Sequence, residues 1–277
     1  MGSHISYGIP IEDEFFCCCS LPSCSLLPVP CLPVLLIDPF PALILDMARS
    51  KKDTMSEYVT LRAADGRSFS AYVARPPGEP IAGLVVIQEV FGVNAHIRSV
   101  ADGYARDGFL AVAPALFDRI QPGIELGYQG EDMQKAMSLF PKLDMEKSLS
   151  DVAAAIEFAA SSTGKKVGVV GYCWGGSLAW LAATRLHPAV AVGYYGGQIG
   201  NYAAENPSAP VMLHFGRQDT HIPAEVVAKV HDAHPEVEIY WYDAGHGFNC
   251  DARASYNPAA AKEARQRTLA FLMKHLA

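Results

Sequence analysis

The chain has 277 residues, half of them hydrophobic, with 22 Lys and Arg against 29 Asp and Glu and a net charge of −7. Such a composition supports a large core, and without a Lys/Arg cluster it excludes nucleic acid as an expected partner. The acidic balance itself says little beyond solubility.

Residues 1–54 differ in character from the rest. Met1-Gly2-Ser3-His4 reads as a cloning scar. Five of the seven cysteines (Cys17, Cys18, Cys19, Cys24 and Cys31) crowd here, with seven prolines from Pro10 to Pro41. The apolar run Leu26 to Ala48 is broken by five of those prolines and by Asp38, so it is a poor membrane span. It has no basic region before it and is a poor signal peptide. The cysteine spacing matches no zinc motif. The expectation is a vector-derived or poorly structured extension over 1–54 and one α/β domain over 55–277. An attachment or dimer-contact arm is the functional alternative. Only Cys173 and Cys250 remain beyond residue 54, which suits a reducing cytoplasm.

From Met55 the elements follow in order. Tyr58–Leu61 and Phe69–Val73 alternate around Asp65-Gly66 and predict an antiparallel hairpin at a sheet edge. Gly83–Ile87 predicts a buried strand, 95–107 a helix and Leu110–Ala113 a strand. Helices are expected near 131–139 and 145–160, and a strand over 166–170. A helix begins at Trp174. Strands near 189–194, 210–215 and 237–242 and helices near 224–233 and 258–275 complete the domain. Short apolar strands alternating with amphipathic helices mean a mostly parallel central sheet flanked by helices on both faces. Functional groups then belong in loops at the carboxyl ends of strands.

Gly171-Tyr172-Cys173-Trp174-Gly175-Gly176 joins the strand at 166–170 to its helix. The G-x-C-x-G pattern is that of a nucleophile elbow, with Cys in place of Ser, and predicts an α/β-hydrolase fold. A side chain at Gly171 or Gly175 would collide with the neighbouring strand or helix. The helix N-terminus at Trp174 favours an anionic sulfur. Asp219 lies in the loop after 210–215 and His246, flanked by glycines, in the loop after 237–242. The chain order Cys, Asp, His is that of α/β-hydrolases. His246 is the candidate base and Asp219 its orienter, with Asp232 and Asp243 as competitors. Val90 and Trp174 are the candidate oxyanion amides. Glu89 would hold the thiol neutral until substrate displaces it; the alternative is a loop carboxylate bound to backbone amides or to an arginine. His231 and His234 find no third ligand, so no metal is expected. His214, inside a strand, is expected in the core.

These segments resemble the dienelactone hydrolase (carboxymethylenebutenolidase) family over nearly all of 56–277. The resemblance rests on Gln88 to Asn94, Pro114 to Phe117, Gly171 to Gly176, Val192 to Gly196 and Gly245 to Phe248. It implies a triad of Cys173, Asp219 and His246, with Glu89 switching the thiol. It also implies two arginines that bind a substrate carboxylate. Arg119 matches the first. Cys250 occupies the position of the second, and Arg253 is the nearby candidate replacement. Phe91 and Tyr128 are further substrate-binding candidates. The expected function is cofactor-free hydrolysis of small esters and lactones through a covalent acyl-enzyme, by a monomer or weak homodimer without a membrane partner. A general short-chain carboxylesterase and a non-catalytic thiol redox sensor using Cys173 or Cys250 are the alternatives.

Overall fold

A computed structural model describes residues 55–277; the expectations for 1–54 lie outside the described residues. Eight strands form one sheet: β1 (Met55–Arg62), β2 (Ser68–Arg75), β3 (Ala82–Ile87), β4 (Phe109–Pro114), β5 (Val167–Tyr172), β6 (Val190–Tyr194), β7 (Val211–Gly216) and β8 (Glu238–Tyr242). Their order is β1-β2-β4-β3-β5-β6-β7-β8. β1 and β2 pair antiparallel, as do β2 and β4; every other pairing is parallel. The strands β3 to β7 are buried along their whole length. This explains why they read as continuous apolar runs while β1 and β2 alternate.

Among the described residues there are six helices: α1 (Ala95–Arg106), α2 (Gly130–Leu139), α3 (Met145–Thr163), α4 (Trp174–Arg185), α5 (Ala224–Ala233) and α6 (Pro258–Leu276). Asn94 caps α1 by accepting from the Ile97 amide at 3.2 Å, and Asp144 caps α3 by accepting from Lys147 at 3.0 Å. From β3 the chain steps one way to β4, then crosses back to β5 and continues in that direction. Crossovers between parallel strands are right-handed, so the reversal puts α1 on one face and α3, α4 and α5 on the other. α6 shares the face of α1, where its Arg265 pairs with Asp107 at the end of α1. The reversal leaves a crevice at the carboxyl ends of β3 and β5. Glu89-Val90 and Cys173 lie there.

Three short 3-10 turns, Leu116–Arg119, Phe140–Lys142 and Ile199–Tyr202, were not expected from the sequence. Each is too short to carry a periodic pattern. Among the described residues, no helix is long and apolar enough to cross a membrane.

Candidate active site

The elbow's backbone is strained at one residue. Cys173 has φ +55° and ψ −118°, a region that costs a non-glycine residue free energy. The surroundings hold it there: its amide donates to the Tyr194 carbonyl at 3.0 Å, and its carbonyl accepts from Gly176 at 2.9 Å. The flanking glycines are steric requirements. A Cβ on Gly171 would stand 1.8 Å from the Gly175 carbonyl oxygen, and one on Gly175 would stand 2.5 Å from the carbonyls of Ile87 and Gln88. β5, β3 and α4 therefore approach as closely as they do only because both positions lack side chains.

The thiol is half-buried and faces an imidazole. His246 Nε2 lies 3.2 Å from Cys173 Sγ, and His246 Nδ1 lies 2.7 Å from Asp219 Oδ2. Asp219 is buried, and its other oxygen accepts from the His221 amide at 2.8 Å. Ser255 fixes the histidine's loop by donating to the His246 carbonyl at 2.7 Å. Asp243 and Asp232, the competing carboxylates, are exposed, and Asp243 makes a loose ion pair with Arg217 at 3.7 Å.

The charges of this row depend on one another. Burial works against a charged Asp219, but the hydrogen bond and charge of His246 outweigh it and hold the carboxyl below its ordinary range. Burial likewise opposes the His246 cation. Hydrogen bonds to Asp219 and Cys173, with their negative charges, overcome that and push the imidazole up to about 10.

Cys173, His246, Val90, Trp174, Phe91 and Arg253 line one cavity of about 440 Å³. Met133 and Met137 of α2, Phe140 and Ile222 supply much of its apolar wall. Among the described residues, neither the Val90 nor the Trp174 amide finds a hydrogen-bond acceptor. Both are free to meet an incoming oxyanion.

The remaining expected site residues are placed differently. Glu89 is fully buried, and its Oε1 meets Arg253 Nη1 at 3.3 Å. That contact matches the arginine-bound alternative raised from the sequence. Arg253 also lies 5.8 Å from the Phe91 ring centre and 5.6 Å from that of Tyr128. Tyr128 packs behind Phe91, ring centres 4.5 Å apart, rather than on the cavity wall. Arg119 is not brought to the cavity at all. Its guanidinium makes two 2.7 Å bonds to the fully buried Asp151 of α3 and a 2.6 Å bond to Asp65.

Several residues at or behind the cavity wall had no role in the sequence reading. His221 packs 5.3 Å from the His246 ring, and its signal was its position two residues past Asp219. Tyr195, at φ +40°, packs 5.1 Å from His246; it stood inside a quoted motif with no function attached. Met133 and Met137 sit one helical turn apart, a spacing that core packing would equally explain.

Among the described residues, two groups of side chains could ligate a metal. Asp219, His221 and His246 form one, within the row already described, and Glu89, His96 and Cys250 form the other. His234, by contrast, is buried with Nε2 at 2.9 Å from the Ala203 carbonyl, and His231 is exposed.

A sharp strand-turn-helix elbow at the centre of a mostly parallel sheet, with helices on both faces, defines an α/β-hydrolase fold. The profile of the Dienelactone hydrolase family matches residues 69–276. The Carboxymethylenebutenolidase of Pseudomonas putida is 36% identical over 227 residues, 79% of this chain and 96% of its own length. Carboxymethylenebutenolidase 1 of Cupriavidus pinatubonensis is 32% identical over 227 residues, 79% of this chain and 97% of its own. The crystal structure of the "Putative Dienelactone Hydrolase" of Klebsiella pneumoniae superposes with a TM-score of 0.70 at 29% identity, covering 80% of this chain and 99% of that one. The chain belongs to the dienelactone hydrolase family and is a carboxylic ester hydrolase. Family membership sets aside the non-catalytic reading.

Proposed function

We propose that the protein hydrolyses small esters and lactones through a thioester acyl-enzyme formed on Cys173. The observation that carries this reading is His246 standing between Cys173 Sγ, at 3.2 Å, and Asp219, at 2.7 Å. The Cys173 thiolate attacks the carbonyl carbon. The carbonyl oxygen takes the negative charge and accepts from the Val90 and Trp174 amides. Collapse expels the alkoxide, which takes the proton from His246; in a lactone the alcohol stays tethered to the acyl group.

Acylation removes the sulfur's negative charge. The imidazole then loses its hydrogen bond and its attraction to Cys173, two of the influences that hold its proton. Its affinity for a proton falls, and it becomes a base for the hydrolytic water. Glu89, buried beside Arg253, is the group we assign to restrain the thiol until substrate arrives. The reaction draws on no cofactor in this reading, and a thiol nucleophile suits the reducing cytoplasm.

Replacing Cys173 by Ala should abolish turnover of p-nitrophenyl acetate and leave the fold intact. Turnover near wild type would remove Cys173 from the chemistry. A second reading, a general short-chain carboxylesterase without a lactone role, draws support from Arg119. Its guanidinium is committed to Asp151 and Asp65, which leaves Arg253 as the cavity's arginine. Kinetics on a carboxylated dienelactone against an uncharged ester of similar size separate the two readings.

A further inference from the structure

Beside the catalytic row lies a second cluster, of which the proposed hydrolysis uses Glu89 alone. A carboxylate oxygen of Glu89, a ring nitrogen of His96 and Cys250 Sγ all lie within 4.8 Å of one another, and all three residues are buried. Glu89 Oε2 and His96 Nε2 have no hydrogen-bond partner among the described residues. Two unpaired polar atoms inside a core are costly and rare, and here they belong to two residues of one cluster. The Tyr128 hydroxyl, also unpartnered, lies beside the Cys250 thiol.

The other atoms of these groups are already fixed. Glu89 Oε1 meets Arg253, and His96 Nδ1 lies 3.1 Å from Asp251 Oδ1. A carboxylate on the far nitrogen is how ligating histidines are oriented, and it leaves Nε2 with a lone pair able to bind an ion.

We propose that Glu89, His96 and Cys250 form a binding site for a soft divalent metal ion, with zinc as the fitting case. The donor set of one thiolate, one imidazole and one carboxylate is that of zinc rather than of calcium or magnesium, which take oxygen. Tetrahedral zinc holds its ligands about 3.4–3.6 Å apart at the usual bond lengths, so a small inward movement of these side chains closes the site. Three protein ligands leave a fourth corner, which water fills from the open cavity that His96 and Asp251 line. Forming the zinc–sulfur bond breaks the S–H bond of Cys250 and releases one proton to solvent. The bound ion would anchor Glu89, so metal occupancy and the thiol's restraint are linked through one carboxylate. The sequence reading expected no metal; Glu89, Cys250 and His96 come together only in the fold.

The test is cobalt and zinc titration of the full chain carrying Cys17, Cys18, Cys19, Cys24 and Cys31→Ser. Cobalt should produce a thiolate-to-metal charge-transfer band, and zinc should displace it at one ion per chain. Adding Cys250→Ser should abolish the band, whereas adding Cys173→Ser should leave it. Asp251→Asn, on a side chain 70% exposed, leaves the core untouched and should weaken zinc affinity about 10- to 100-fold. No stoichiometric uptake, a band that survives Cys250→Ser, a band lost with Cys173→Ser, or unchanged affinity in Asp251→Asn each overturns the site. None of these readouts depends on ester hydrolysis, so the two proposals fail separately.

Discussion

His246 is the residue on which the local electrostatics turn. Its imidazole is raised above the ordinary 6.5 to about 10 although burial alone would lower it, so the neighbouring anions outweigh desolvation. Part of that effect belongs to Asp219 and part to Cys173. Following the His246 ring by NMR against pH should therefore give a midpoint well above 6.5 in the wild-type protein. Cys173→Ala removes one contributor and should move the midpoint down; an unmoved midpoint would mean that the sulfur and imidazole do not interact. The same shift bears on stability. A cation favoured by folding contributes fully below about pH 6.5, and that contribution fades as pH rises toward about 10.

At the scale of elements, the join between β5 and α4 is among the tightest places in the fold. A methyl group on Gly171 would overlap the Gly175 carbonyl at 1.8 Å, with backbone rather than flexible side chain as the obstacle. Gly171→Ala should cost about 3 kcal/mol or more, in the upper tail of single substitutions, read as a lower urea midpoint. β7 carries a second device. His214 is buried, with Nδ1 2.9 Å from the Tyr242 hydroxyl and Nε2 3.0 Å from Thr268 Oγ1. Burial, helped by the Arg267 charge, lowers this imidazole to about 3. The neutral ring is fully favourable above about pH 6.5, and its contribution falls as pH drops toward 3, by at most about 1.4 kcal/mol per pH unit. His214→Gln should destabilise the protein at pH 7, and the gap to wild type should narrow by pH 4. A gap independent of pH would place the proton elsewhere.

Across the whole molecule, what the sequence revealed depended on whether the cause was local. The strands β3 to β7 carry continuous apolar runs because helices bury both their faces, and the helix limits follow caps such as Asn94 and Asp144. The elbow glycines were legible because their pattern, Gly171 to Gly176, spans only six residues. The positions of Arg119 and His96 were not, because each is decided by a partner far along the chain: Asp151 for the first, Asp251 and Cys250 for the second. A buried carboxylate such as Asp151, which burial pushes up and Arg119 pulls down, needs its cation in place. Arg119 therefore ties α3 to the hairpin loop at Asp65, whereas Arg253 reaches the cavity. The two arginines should separate by experiment. Arg119→Ala should lower stability by about 3 kcal/mol, by stranding Asp151, and leave the ratio of kcat/KM for carboxylated over neutral esters unchanged. Arg253→Ala should cut that ratio about 10- to 100-fold, the worth of one charge-assisted hydrogen bond to a carboxylate. If instead Arg119→Ala changes the ratio and Arg253→Ala does not, the substrate's carboxylate is held from the far side of the fold, and α3 must move to admit it.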